Sequence, residues 1–262
     1  MFSDIYHEYL LYKNEENRLD RYKGKEDWYH ASGAGLCSRK LYYESVEKAE
    51  PTNPPSKASL RRMRVGTIIH EDLQKSLTVS DTIYNTKYNI HVQDSIQSLN
   101  IRDITDVKFD VEGEINLKGF NVRGYYDVLL LVSSAGSTGH SAVKLYDMKT
   151  AASYSYKLKF SRTRKQPQEN RNHYLQLGTY GIGIMEQYGR LDGMSILYYN
   201  KDTSAMREVV VPISYVDNAK RYWHVINEEH AKGLPNFNIG SSPVYTWVCN
   251  YCQFKNHCKP PF

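Results

Sequence analysis

Between Val107 and Leu117 the chain alternates, with Val107, Phe109, Val111, Ile115 and Leu117 apolar and most positions between them polar. A two-residue period of this kind predicts a strand with one buried face. Lys118-Gly119 supplies a hairpin turn, and Val122 to Val132 returns as a second strand, apolar enough toward its end to lie centrally. Ser133 to Ser141 is a Gly/Ser-rich loop, and Ala142 to Lys149 forms a third strand. Elsewhere the period is helical. Ser59 to Leu77 places Leu60, Met63, Ile69, Leu73 and Leu77 at helix spacing. Gln168 to Tyr188 reads as a long helix despite Gly178, Gly181 and Gly183, which lower helix propensity but permit close packing on a sheet. Met194–Tyr199 and Glu208–Ile213 read as strands joined by a Lys201-Asp202 turn, after which Ser214 caps a helix to about Lys232. Upstream, a first helix runs from Ser3 or Asp4 to about Arg21, burying Ile5, Leu10 and Leu11. A Gly33–Gly35 turn leads into a short helix over Leu36–Tyr43, and Pro51, Pro54 and Pro55 mark a loop. The order is helix, three strands, helix, two strands, helix, which predicts an α/β domain with a central mixed β-sheet flanked by helices.

Composition narrows the class. The 262 residues, 40% of them hydrophobic, fit a single domain over 1–262 with a packed core. The longest apolar run, Val128 to Val132, is strand-sized, so no membrane span is expected. The N-terminus lacks the basic and apolar regions of a signal peptide, which predicts a cytoplasmic protein. In a reducing compartment, four cysteines point to metal ligation or inert thiols before disulfides. The net charge of +5 is compatible with nucleic acid. Basic residues crowd at Arg61, Arg62 and Arg64, and again from Lys157 to Lys165.

The candidate chemistry lies on the strands. Asp147 and Lys149 are two apart, so a carboxylate and an ammonium share one strand face. Asp127 sits on the neighbouring strand, at the head of an apolar run where an unpaired carboxylate is costly to bury. Two such oxygen ligands suit Mg²⁺ or Mn²⁺, which lowers the pKa of bound water and steadies charge on a phosphoryl group. Lys149 can orient or deprotonate that water, or neutralise the transition state. His70 follows Gly66 by one helical turn; an imidazole ligand would tilt the preference toward Mn²⁺. At the other end of the chain, Cys249-x-x-Cys252 and Cys258 are compact, and Cys37 is remote. Four thiolates can surround zinc or an iron–sulfur cluster, and their chemistry alone permits both.

In order along the chain, Gly66-x-x-x-His70, Gly124-x-x-Asp127, Asp147-x-Lys149 and Gln176-x-x-x-Tyr180 resemble the motifs of RecB-like nucleases of the PD-(D/E)XK superfamily. The resemblance runs from about Cys37 to the C-terminus. It implies a restriction-endonuclease-like core in which His70, Asp127, Asp147 and the carbonyl of Met148 hold the metal. Lys149 is then the catalytic lysine, and Gln176 and Tyr180 support the site. Cys37-Ser38-Arg39-Lys40-Leu41-Tyr42-Tyr43 resembles the N-terminal cysteine motif of the iron–sulfur subset, which includes CRISPR-associated adaptation exonucleases and AddB-type nuclease domains. That likeness implies a [4Fe-4S] cluster on Cys37, Cys249, Cys252 and Cys258, stapling the terminal region.

Tyr154, Tyr156, Lys157 and Lys159, continued by Arg162, Arg164 and Lys165, interleave aromatic and basic residues directly after Lys149. Such a segment can stack bases and neutralise phosphates along a single strand. Together these features predict a metal-dependent DNA exonuclease preferring single-stranded ends, in recombination, repair or phage or CRISPR-related DNA processing. No Gly-x-x-x-x-Gly-Lys-Ser/Thr loop is present, so unwinding would need a helicase partner; a recombinase or integrase is the other expected associate. Two other readings are a structure-specific endonuclease or integration-substrate processor, and a non-catalytic iron–sulfur DNA-binding module.

Overall fold

The computed structural model describes residues 1–22, 28–83, 101–136, 138–160, 170–237 and 246–258. Helix α1 (Phe2–Tyr22) is followed by a two-residue strand β1 (Tyr29–His30) and the short helix α2 (Ser38–Leu41), which runs into a π-helical turn at Tyr42–Val46. The long helix α3 (Lys57–Ile83) precedes strands β2 (Ile104–Leu117), β3 (Val122–Ser134) and β4 (Ala142–Ala151). Next come α4 (Ser153–Phe160), α5 (Arg171–Tyr188), β5 (Gly193–Asn200), β6 (Met206–Val211) and α6 (Tyr215–His230). A 3-10 segment (Thr246–Tyr251) and the short α7 (Lys255–Cys258) complete the described chain. Among these residues no helix is long and apolar enough to cross a membrane.

Strand β3 is the hub of a mixed sheet. Along one edge it pairs antiparallel with β2. Its other edge is shared, with β1 parallel at Val122–Arg123 and β4 antiparallel from Val128 to Val132. β5 lies parallel to β4, and β6 closes the sheet antiparallel to β5. The parallel step needs a crossover, which α4 and α5 provide. Leu177, Ile182 and Ile184 of α5 and Trp223 of α6 cover Leu129, Leu131, Leu145 and Ile196 as the main core. The α5 glycines make this contact possible: a Cβ on Gly178 would stand 2.2 Å from the Tyr215 carbonyl oxygen, and one on Gly183 would stand 2.8 Å from Ile115. A smaller cluster of Leu130, Val132 and Ala142, with Val107, Phe109 and Tyr146 against it, covers the opposite face.

The β2–β3 ribbon does not keep one face. The alternation from Val107 to Leu117 predicted a single buried side. Instead Val107 and Phe109 join the small cluster, whereas Ile115 and Leu117, at the same parity, join the main core. β3 reverses as well: Val122 and Tyr126 share the main core with Leu129 and Leu131, of opposite parity. The reversal falls at Glu112, whose φ of 54° is left-handed, and at Asp127 across from it.

Other departures are local. On α1, Leu10 is buried but Ile5 is exposed, because α1 packs against α3 rather than on the sheet. Ser214 precedes α6 in helical conformation and makes no side-chain cap bond. Helix α4 occupies the segment read as a loop or binding stretch, and Gln168 lies outside the described residues.

Candidate active site

The reversal of the ribbon builds the site. Because β4 pairs with β3 only from Val128 onward, Asp127 heads a stretch of β3 that has left its neighbour. The gap is bridged by Asp127 itself, whose Oδ2 accepts the Met148 N–H. In a strand the N–H and C=O of one residue leave the same edge, so the Met148 carbonyl also faces Asp127.

Helix α3 brings the imidazole. A Cβ on Gly66 would stand 2.8 Å from Thr150 Oγ1, so the bare glycine lets α3 settle on β4. One turn later His70 Nε2 lies 3.0 Å from Asp127 Oδ2. One turn beyond, the buried Gln74 donates to the Asp127 carbonyl at 3.0 Å. On β4, Lys149 Nζ reaches Asp147 Oδ1 at 2.9 Å and Oδ2 at 2.7 Å. From α5, Gln176 Nε2 approaches Asp147 Oδ1 at 3.5 Å and donates to Tyr180 Oη at 2.8 Å. Tyr180 also packs on Gly124, where an added Cβ would stand 3.0 Å from its ring. All four motifs therefore meet.

The electrostatics separate the two carboxyls. Complete burial, with the like charge of Asp127 behind it, pushes Asp147 up to about 7, against the pull of Lys149. Burial acts the same way on Asp127, but His70, Lys149 and the Met148 N–H outweigh it and hold this carboxyl low. Burial favours the neutral form of Lys149, yet Asp147 and Asp127 raise its pKa and keep it an ammonium. Burial likewise opposes the charge on His70, and Asp127, Glu112 and Asp147 reverse that effect. A cation binding here would displace the imidazole proton.

The donor chemistry fits a hard divalent ion: Asp127 and His70 stand 3.0 Å apart, with the buried carboxyl of Asp147 and the Met148 carbonyl on the adjoining strand. Asp147 Oδ2 is buried and makes no directed hydrogen bond, since Lys149 approaches it off-axis, so lone-pair capacity is left for a cation. Sequence reasoning missed Glu112. Among the described residues His70, Glu112 and Asp127 place ligand atoms within 4.8 Å of one another. The available signal was Gly113, since glycine inside a strand marks a bulge or a close approach.

Residues expected to touch nucleic acid fare unevenly. Tyr154 and Lys157 of α4 are exposed. Tyr156 is partly buried, packed against the core in edge contact with Phe160. Lys159 is half-buried over the Tyr198 ring and donates to Asn170 at 2.8 Å. Arg162, Arg164 and Lys165 lie outside the described residues.

At the chain ends, residues 246–258 dock on residues 43–53. Thr52 and Asn53 donate to the Gln253 carbonyl at 2.8 and 3.0 Å, and Phe254 packs on Tyr43. Burial raises the Cys249 thiol, and Cys37, Cys252 and Cys258 raise it further while Lys255 opposes them. No three cysteine sulfurs among the described residues lie within 4.8 Å of one another.

A solved structure shares this architecture. The crystal structure of SSO0001 is similar over 100% of both chains, with a TM-score of 0.51 and 18% identity. A putative exonuclease from Eubacterium rectale is similar at TM-score 0.41 and 14% identity, over 81% of this chain and 83% of that one. The alkaline exonuclease LHK-Exo from Laribacter hongkongensis gives 0.36 and 12%, over 81% and 92%. No curated protein shows a significant match. The model of the PD-(D/E)XK nuclease superfamily matches residues 86–259, a span that holds Asp127, Asp147 and Lys149 on the strands described above. With more than half of its length matched, this chain belongs to the PD-(D/E)XK nuclease superfamily.

Proposed function

We propose that the protein is a metal-dependent DNA exonuclease that prefers single-stranded ends, using His70, Asp127, Asp147 and the Met148 carbonyl as metal ligands. One observation carries this reading: Lys149 is ion-paired to the fully buried Asp147 beside a second carboxyl and an imidazole 3.0 Å apart. So much charge in one buried place costs stability unless it serves a ligand. A bound divalent cation supplies a water of lowered pKa and positive charge beside the phosphoryl oxygens. Lys149, held protonated by its neighbours, stabilises negative charge on the phosphate rather than taking a proton. Gln176 and Tyr180 fix the Asp147 carboxylate from above. Tyr154 and Lys157, exposed on α4 just past Lys149, are the described residues offered to a strand entering the site.

A [4Fe-4S] cluster on the four cysteines belongs to the same proposal, as a structural staple. Tetrahedral zinc, with Zn–S near 2.3 Å, needs thiolates about 3.8 Å apart. What supports the reading is placement: Cys37 lies just ahead of α2, and the other three cysteines fall within residues 246–258, which dock near it. Burial raises the Cys249 and Cys252 thiols, with Lys255 and Lys40 opposing it, so loading the cluster would have to displace their protons.

The test is digestion of linear and circular single-stranded DNA with Mg²⁺ or Mn²⁺, beside Asp147→Ala. Linear DNA should be degraded and circles spared, and the variant should be inactive. Cleavage of circles would replace this reading with an endonuclease; metal-independent binding without cleavage would replace it with a binding module.

A further inference from the structure

Glu112 stands where the backbone resists it. A left-handed φ of 54° in mid-strand suits glycine, and for a side chain with a full Cβ it costs on the order of 1–2 kcal/mol. The neighbouring Gly113 cannot exchange roles with a larger residue, because the Tyr126 ring lies where its Cβ would be, 2.0 Å away. No hydrophobic packing accounts for the acid, whose side chain is half exposed. Strain of this kind persists where it serves a site.

The strained backbone aims the carboxylate at His70. One acid lies beside each ring nitrogen: Asp127 Oδ2 is 3.0 Å from Nε2, and Glu112 Oε1 is 3.7 Å from Nδ1. Gln74, one helical turn past His70, holds Glu112 there by donating to Oε1 at 2.6 Å while its other contact fixes the Asp127 carbonyl. A small side-chain rotation brings the 3.7 Å approach within hydrogen-bond range.

We propose that Glu112 is a positioning residue of the metal centre. It accepts the Nδ1–H of His70, and so commits the tautomer whose Nε2 lone pair points at the cation shared with Asp127 and Asp147. Carboxylate–histidine–metal triads work in this way, and loss of the outer carboxylate typically weakens metal binding by about 10–100-fold. The proposal deepens the metal-dependent reading and rests on it.

Direct calorimetric titration of Mn²⁺ into the full-length protein tests it without recourse to activity. Glu112→Gln and Glu112→Gly should each weaken Mn²⁺ binding about 10–100-fold. Their metal-free thermal midpoints should match the wild type or, for glycine, exceed it, since glycine relieves the left-handed strain. Combined with His70→Ala, Glu112→Gln should add nothing further, because its effect passes through the imidazole. Unchanged affinity in both Glu112 variants overturns the proposal. So does a further loss in the His70→Ala background, or a drop in the number of ions bound, either of which makes Glu112 a ligand in its own right. Wild-type protein that binds no Mn²⁺ overturns it together with the metal-dependent reading. Mn²⁺ binding with the expected variant pattern but no DNA cleavage leaves Glu112 in its role and removes the nuclease proposal alone.

Discussion

At the scale of single residues, the acids and the lysine at this site answer different questions. Asp147 has no solvent contact and is pushed up by burial, whereas Asp127 is held low by His70 and Lys149. Two carboxyls a few ångströms apart that titrate differently are the mark of divided labour. Lys149→Met keeps the length of the side chain and removes its charge. It should lower kcat about 10²–10³-fold with Mn²⁺ affinity retained, as single-turnover assays and calorimetry would show. This part of the site was legible in the sequence, because Asp147-x-Lys149 fixes a shared face through the strand period alone. Glu112 was not legible, since its role depends on a backbone angle, and alternation assumes that angle is ordinary. The partial burial of Tyr156 was not legible for a related reason: aromatic and basic residues in alternation look alike on a helix and on an open strand, and only packing distinguishes them.

Among elements, the apolar periods gave the type of the main strands and long helices, but the β2–β3 ribbon switches its buried face midway, and α4 and the two-residue β1 escaped notice. β1 is too short to carry a period, and its place is fixed from outside. Tyr29 donates or accepts through Oη with His230 Nδ1 at 2.7 Å and stacks on Trp223, while His230 Nε2 meets the Ser38 carbonyl at 3.2 Å. This single ring thus ties β1, α2 and α6 together. Burial lowers its pKa, against the Ser38 carbonyl and Glu229. Burial also drives His173 well below the ordinary value, with Lys149 and Lys159 adding to the effect. A neutral histidine of depressed pKa contributes stability in full above the unfolded value near 6.5, and that contribution is lost as pH falls toward the folded value. The share of stability carried by these two rings should therefore fall between pH 7 and pH 5, against the opposite trend from Asp147 and His70, whose raised pKa values favour the folded state as pH falls. His230→Gln, neutral at every pH, should remove part of that fall from the thermal midpoints; an unchanged pH dependence would place the acid sensitivity elsewhere.

For the molecule as a whole, the first fifty residues and the last described segment are joined at one end, with Ser38, next to Cys37, held by Glu229 and His230. Cysteine spacing predicts a staple between these segments, but the docking on Thr52 and Asn53 was not legible, because it rests on main-chain bonds, with Asn53 Nδ2 adding one to the Cys252 carbonyl at 3.1 Å. Cys252→Ser should abolish bound iron and an absorbance shoulder near about 400 nm. It should also lower the thermal midpoint, by a stability loss of roughly 2–5 kcal/mol if the staple acts as a crosslink does. The ribbon that rolls over at Glu112 and Asp127 has an implication of its own. Remove both residues, one from each strand, and each face of the ribbon keeps a single parity along both strands, with the present partners retained. Within the β2–β3 pairing the two act as a matched pair of extra positions, although Asp127 also bridges β3 to β4 and holds Gln74 of α3. A double deletion should therefore keep the hairpin, as circular dichroism would show, and be inert, with architecture and chemistry divorced.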